Sequence, residues 1–267
     1  MSSILICSLS GAPGVTTTAL AMALEWPGDG RSPTVVEADT SGGDLAARFA
    51  LPYTPGLVEL AGAARRRSDT GQLLAEHTAR LAFAADTVDV VLAPPGGVAA
   101  RVALPALAAP AGVLAGDDTH LVLVDAGRID PTGPVWPLLS TVDVVVVLVP
   151  SRVDALARLQ ASLPQLRHAA AERLLIVLTA ADPYTPAEVA ELFDVAVCEQ
   201  VLPDDPMAAA VLAGRRVPRR RWRRRLALPA VAAQLAGELS ARLGPVPVAA
   251  GTETAFDTEA VAVAVTP

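Results

Sequence analysis

A chain of 267 residues, 52% hydrophobic but only 3% aromatic, is long enough to bury one large core built from Val, Leu and Ala. A net charge of −7 argues against a generally basic nucleic-acid coat, and all 21 basic residues are Arg, which excludes any lysine phosphate ligand, Schiff base or nucleophile. The N-terminus lacks a basic stretch followed by a long apolar run and a cleavage site, and the longest apolar run, Val144 to Pro150, is far too short to span a bilayer, so the chain reads as cytoplasmic with no transmembrane segment.

In chain order, Ile4 to Leu9 is an apolar run that ends in Gly11-Ala12-Pro13-Gly14 and leads into a helical stretch from Thr16 to about Trp26. Thr34 to Ala38 is a second run, ending in Asp39 and Gly42-Gly43, and His120 to Val124 a third, ending in Asp125-Ala126-Gly127. Val142 to Val149, Leu174 to Thr179 and Val195 to Val201 supply a fourth, fifth and sixth. Helical patterns lie between most of them, at Leu45 to Phe49, Val98 to Leu114, Val153 to Leu166, Ala187 to Phe193 and Pro206 to Ala213. Leu74 to Ala84 and Val88 to Ala93 read as extra strands or a hairpin. A last helix runs from about Trp222 to Arg242.

Continuous apolar strands alternating with amphipathic helices predict a single doubly wound, mainly parallel α/β sheet with helices on both faces. The domain is expected over residues 1–243. From Gly244 the composition turns to Pro, Val, Ala, Thr and Glu without helical period, which reads as a flexible C-terminal tail over 244–267. Cys7 and Cys198, the two cysteines, fall in or near strands and read as reduced core residues.

In parallel sheets functional sites lie at the carboxyl ends of the strands. The first such end carries Gly11-Ala12-Pro13-Gly14-Val15-Thr16-Thr17-Thr18. A glycine-bearing turn between strand and helix points backbone N–H groups at one spot, and the helix N-terminus adds positive potential, so an anion fits there. A plain structural turn is the competing reading. Asp39 and Asp125 end the next two strands, the pattern of a phosphate site in which one Asp holds the metal shell and the other orients the attacking water. Thr18 supplies a hydroxyl for Mg²⁺.

The set resembles the ParA/MinD group of P-loop ATPases with their deviant Walker A loop, G-K-G-G-x-G-K-T-T, here G-A-P-G-V-T-T-T. Gly11, Gly14 and Thr18 match; Ala12 and Thr17 stand where that family has its two lysines. Glu37-Ala38-Asp39 resembles the D-x-D switch, with Asp39 at its second acid, and Val122 to Gly127 resembles the Walker B strand. Thr141-Val142-Asp143, the valine run and Pro150 resemble a further strand of the family. Leu202-Pro203-Asp204-Asp205 followed by Ala208 to Gly214 resembles its segment near the adenine. The resemblance spans about residues 1–242. It implies ATP and Mg²⁺ as cofactors. It also implies a nucleotide site over Gly11, Pro13, Gly14, Val15, Thr16, Thr17, Thr18, Thr179 and Pro203, with Thr18 and Asp125 on Mg²⁺ and Asp39 catalytic if the site turns over. It further implies a homodimer that places a cargo: DNA, a septum component, or a pilus or secretion apparatus.

The missing lysines bear on activity. A charge-assisted hydrogen bond to phosphate contributes roughly 1.5–3 kcal/mol, so its loss weakens nucleotide binding by about ten- to a hundredfold. Hydrolysis suffers more, because charge develops on the transferred group. The expectation is weak nucleotide binding with weak or absent turnover; a slow but genuine Mg-ATPase is the alternative. Arg128, just after Asp125, is a candidate substitute cation.

Arg215, Arg216, Arg219, Arg220, Arg221, Arg223, Arg224 and Arg225 lie within a stretch without acids, and without those eight charges the rest of the chain falls from −7 to −15. Such a segment neutralises DNA phosphates, meets an anionic membrane or an acidic partner, or is a solvated helix start. A non-specific DNA-binding module built on it is therefore a further alternative function. His77, His120 and His168 show no ligand spacing, so no zinc site is expected, nor a haem. No serine has the G-x-S-x-G context of a hydrolase.

Overall fold

The computed structural model describes residues 2–11, 13–67, 69–83, 86–109, 112–117, 119–180, 182–215 and 226–246. Seven strands form one sheet: β1 (Ser3–Ser8), β2 (Ser32–Glu37), β3 (Ala79–Phe83), β4 (Asp86–Val91), β5 (His120–Arg128), β6 (Val144–Pro150) and β7 (Leu174–Thr179). Their order is β3-β4-β2-β5-β1-β6-β7, and every pairing is parallel except the β3–β4 hairpin at one edge. The doubly wound parallel sheet expected from the apolar runs is therefore present, including the hairpin.

Side-chain alternation explains why both faces are covered. Ile4, Ile6, Val35, Leu121, Leu123, Val144 and Val146 enter one buried cluster, while Leu5, Cys7, Val36, Val122, Val124, Val145 and Val147 enter the other. The first cluster is covered by α1 (Val15–Leu24), α2 (Leu45–Phe49), α8 (Pro206–Leu212) and α9 (Ala227–Leu243). The second is covered by α3 (Leu57–Ala64), α4 (Thr70–His77), α5 (Gly97–Leu107), α6 (Val153–Ala170) and α7 (Pro186–Phe193). Leu20, Leu60, Leu123, Leu159 and Leu235 are each fully buried, and burying such a side chain contributes about 1.5–3 kcal/mol. With few aromatics, the core rests on many such aliphatic contacts. Among the described residues no helix is long and apolar enough to cross a membrane.

Three expectations are corrected, and one helix is added. Val195 to Val201 is not a strand: it meets β7 only through isolated bridges, Ile176 with Val197 and Thr179 with Leu202. The segment bonds Ile176 through the Ala196 carbonyl and Cys198 N–H, then leaves the ladder across the polar Glu199-Gln200 pair before Leu202 returns to it. Leu74 to Ala84 is not one extended run, because Thr70–His77 is helix α4; the Thr78 hydroxyl and His77 Nδ1 bond the carbonyls of Leu74 and Leu73, closing that helix just before β3. The expected helix from Val98 to Leu114 stops at Leu107, three residues before Pro110, which cannot donate to a continuing helix. A separate helical turn at Val113–Ala115 follows. Helix α3 was not anticipated, although Leu57, Leu60, Ala61 and Ala64 have helical spacing. The last helix is described from Ala227 onward; Trp222 and the proposed tail beyond Val246 lie outside the described residues.

Candidate functional site

The carboxyl ends of β2, β5, β1, β6 and β7 lie side by side, and the loops leaving them build the site. The Ser8 hydroxyl at the end of β1 donates to the Gly11 carbonyl at 3.2 Å and to the Gly127 carbonyl at 3.4 Å, which ties the first loop to the end of β5. Gly11 and Gly14 have φ of +63° and +86°, a left-handed backbone that favours glycine. Gly14 caps α1, its carbonyl accepting from Thr18 N at 2.8 Å, and the first turn of that helix carries no acid. Its N-terminal field is therefore not offset by a carboxylate within the turn. A Cβ on Gly11 would meet nothing within 4 Å, so the loop leaves open space above itself. Ala12 lies outside the described residues.

Asp125 in β5 is only 2% exposed. Burial pushes its carboxyl up to about 7; the Thr16 hydroxyl, hydrogen-bonded to it, opposes that shift, and the charges of Glu37 and Asp39 add to it. Gly127 N also donates to Asp125 Oδ1, at 3.2 Å. The Thr16 hydroxyl thus fastens the loop to β5. Asp39, just past β2, accepts from Ser41 N at 2.7 Å through Oδ1. Its carboxylate packs against the Cα of Gly127.

Glu37 has a role the sequence did not reveal. It is 3% exposed, and its two oxygens accept from Asp44 N, Leu45 N and Ala93 N at 3.0, 3.0 and 2.9 Å. It thereby caps α2 and pins that loop to the end of β4. Burial raises its pKa, while the three backbone donors hold it down. With both oxygens engaged, Glu37 is a structural clamp, and Asp39 is the acid of the pair left near the loop. Gly43 makes room for this clamp: a Cβ there would meet Glu37 Oε2 and the Ala93 carbonyl at 2.5 Å.

A cleft of about 470 Å³ runs from the first loop across β6 and β7, a size suited to a small organic ligand. Pro13, Gly14, Thr17, Thr18, Thr179 and Pro203 line it, so six of the nine expected nucleotide-binding residues share one cavity. The other three do not line it: Val15 is buried in the core, Thr16 is turned to Asp125, and Gly11 lies at the start of the loop. Also on the wall are Asp204 and Asp205, from the segment that resembles the stretch near the adenine, and Ser151, Arg152 and Asp182, which the sequence did not single out. Their position at strand ends next to Pro150 and Pro203 was the available signal. Asp205 caps α8 through Ala208 N at 2.9 Å and reaches Leu228 N at 3.3 Å, closing the far end with α9.

By residue type the donors suit a magnesium-bound phosphate: Thr18 lines the cleft, and Asp125 lies behind the loop, outside the cleft wall. Thr18 brings a hydroxyl in the first turn of α1, Asp125 a carboxylate tied to the same loop, and Mg²⁺ fills an octahedral shell with water and phosphate oxygens. Such a shell needs no cluster of protein carboxylates, and among the described residues there is no group of three His, Cys, Asp or Glu side chains placed to hold a metal. Arg128 is exposed at the end of β5 and does not line the cleft. Of the arginine segment, Arg215 is described and exposed; Arg216, Arg219, Arg220, Arg221, Arg223, Arg224 and Arg225 lie outside the described residues.

Comparison with solved structures agrees with this layout. A ParA family ATPase from Chlorobium tepidum TLS superposes with a TM-score of 0.67 at 16% identity, over 88% of this chain and 99% of that one. The cell division ATPase MinD of Pyrococcus furiosus gives 0.66 at 18% identity, over 90% and 98%. The septum site-determining protein MinD of Pyrococcus horikoshii OT3, complexed with Mg-ADP, gives 0.64 at 16%, over 91% and 98%. No protein-family model and no curated protein matches the sequence. At these identities the likeness establishes the fold: this chain has the ParA/MinD-type P-loop architecture expected from its motifs.

Proposed function

We propose that this protein is a ParA/MinD-like intracellular positioning or partitioning protein that holds a Mg-nucleoside triphosphate weakly and works as a scaffold rather than as a fast ATPase. The observation that carries this reading is Thr17. It lines the cleft together with Gly14, Thr18, Thr179 and Pro203, in a loop that keeps Gly11 and Gly14 but holds Ala12 and Thr17 where the resembled motif has lysines. Structural neighbours of the same fold were solved with Mg-ADP, and as an ATP complex in a Cyanothece McdA variant, which supports a nucleotide as the occupant.

When bound, Mg²⁺ would neutralise phosphate charge, and Thr18 and Asp125 would hold it. The loop N–H groups and the α1 N-terminus would cradle the phosphates, and Thr17 would add one neutral hydrogen bond. Nothing in the loop would supply the mobile positive charge that transition-state stabilisation of phosphoryl transfer uses. Homodimerisation and a cytoplasmic location belong to the same proposal.

Isothermal titration with Mg-ATP tests it, with Thr18→Ala as control. The reading expects micromolar to sub-millimolar binding that Thr18→Ala weakens; no binding at millimolar ATP would overturn it. A slow ATPase is the second reading, favoured by Asp39 lying against Gly127 beside Asp125. It requires a measurable turnover that Asp39→Ala abolishes. DNA binding by Arg215 to Arg225 rests on sequence alone and requires an affinity that falls steeply with salt.

A further inference from the structure

Resting on the nucleotide reading above, we infer that Arg152 supplies the phosphate-binding cation that the first loop lacks. The sheet order β5-β1-β6 puts the end of β1 between two flanks. On one flank stand Asp125 and Asp39, the metal side. On the other, β6 ends at Pro150, and Ser151 and Arg152 lead into α6. Arg152 lines the same cleft as Pro13, Gly14 and Thr17 and is the one cation among the described residues that do so; the other charged residues on that wall are Asp182, Asp204 and Asp205. A polyphosphate entering a cleft with those three acids and no cation would be repelled along its length.

The backbone there is fixed while the side chain stands largely in solvent. Ser151 N donates to the Thr179 carbonyl at 3.2 Å, and the buried Ser151 hydroxyl donates to the Tyr184 carbonyl at 2.7 Å and accepts from Tyr184 N at 2.9 Å. Arg152 N donates to the Pro150 carbonyl at 2.7 Å, and its carbonyl accepts from Leu156 N at 2.9 Å, which starts α6. The guanidinium pairs with Asp154 at 3.2 Å, with the two side chains 66% and 61% exposed. A surface pair of that kind is weak and is readily exchanged for a phosphate, which offers more charge and fits the guanidinium fork with two parallel bonds. The chain contains no lysine that could do this instead. The ligand class is a nucleoside di- or triphosphate, gripped by an arginine from the β6–α6 junction rather than by a lysine of the loop.

The test is calorimetric titration of the full chain with Mg-ATP, comparing wild type with Arg152→Ala, Arg152→Lys, Asp154→Ala and Thr17→Lys/Arg152→Ala, with melting midpoints recorded without nucleotide. Arg152→Ala should weaken ATP binding tenfold or more with an unchanged melting midpoint, and Arg152→Lys should fall between. Asp154→Ala should tighten binding severalfold by releasing the guanidinium, a readout that survives if Arg152→Ala fails to fold. Thr17→Lys should restore binding in the Arg152→Ala background, which a merely structural role of Arg152 would not allow. Wild-type binding with Arg152→Ala equally tight, or a loss that Thr17→Lys does not rescue, overturns the inference while leaving the nucleotide site standing. No wild-type binding at millimolar Mg-ATP overturns both.

Discussion

Asp39 and Gly127 touch so closely that a Cβ built at the second position would overlap the Asp39 carboxylate, and Gly127 has φ +56°, which favours glycine, besides. Two strand ends, from β2 and β5, are thereby brought together with no side chain between them. Gly127→Ala is expected to destabilise the protein by about 2 kcal/mol, from backbone strain and from displacing Asp39. Urea unfolding measures it, and a loss below about half a kcal/mol would mean that Asp39 moves aside at little cost.

Asp125 predicts a pH signature. Its carboxyl is raised from 3.8 to about 7, so the folded state favours the protonated form. Its stabilising contribution is complete below about 4 and is lost as pH rises through about 7. Other carboxylates, such as Asp29 and Asp117, are shifted downward and act in the opposite sense at low pH, so the comparison must be with Asp125→Asn. The variant should gain melting temperature over wild type progressively between pH 4 and 7, in the absence of nucleotide and metal. Parallel curves would show that Asp125 is not the source.

Glu37 predicts a large structural effect. Glu37→Ala leaves the N–H groups of Asp44, Leu45 and Ala93 without their acceptor, and each such loss in a buried setting costs about 1–3 kcal/mol. Allowing for entry of water, we expect about 3–5 kcal/mol in urea unfolding. Glu37→Gln retains one acceptor oxygen and should lose roughly half as much. Equal losses for the two variants would point to packing rather than to acceptor chemistry.

Thr17→Lys in the otherwise unaltered chain predicts a gain. A charge-assisted bond to phosphate contributes roughly 1.5–3 kcal/mol, so Mg-ATP affinity should rise about ten- to a hundredfold. Titration reads it directly. An unchanged affinity would mean that the cleft does not present phosphate to position 17.

The sheet was legible because its central strands are fully buried apolar runs, and no polar residue interrupts Val144 to Val149 or Leu174 to Leu178. The break after Val197 was not, since Val195 to Val201 has strand composition and only its place at the sheet edge leaves Glu199-Gln200 free to turn outward. Helices α3 and α4 are short and lie far from any motif, so periodicity over two turns was weak evidence. At the site, residues next to glycine or at strand ends could be read, and Pro13, Gly14, Thr17, Thr18 and Thr179 proved to share a wall. Glu37 could not, because an acid beside Asp39 reads as chemistry until its three backbone partners, two of them seven and eight residues on and one across the sheet, are seen. Arg152 escaped notice for the converse reason: nothing local distinguishes a surface arginine from one that shares a cleft with Pro13, Gly14 and Thr17, far upstream in sequence.

Helix α9 starts at the cleft, where Leu228 lines the wall and its N–H meets Asp205, and finishes at the opposite pole. There Ser240 donates to Asp29 Oδ2 at 2.6 Å, and the buried Arg31 reaches the Gly244 carbonyl and the Ser2 hydroxyl. At about 1.5 Å per residue its 17 residues span roughly 25 Å, the depth of a domain. A truncation just before Ala227 would therefore open the ligand end and unbuckle the far end together, so that a shortened chain stopping there would not persist as a smaller folded unit.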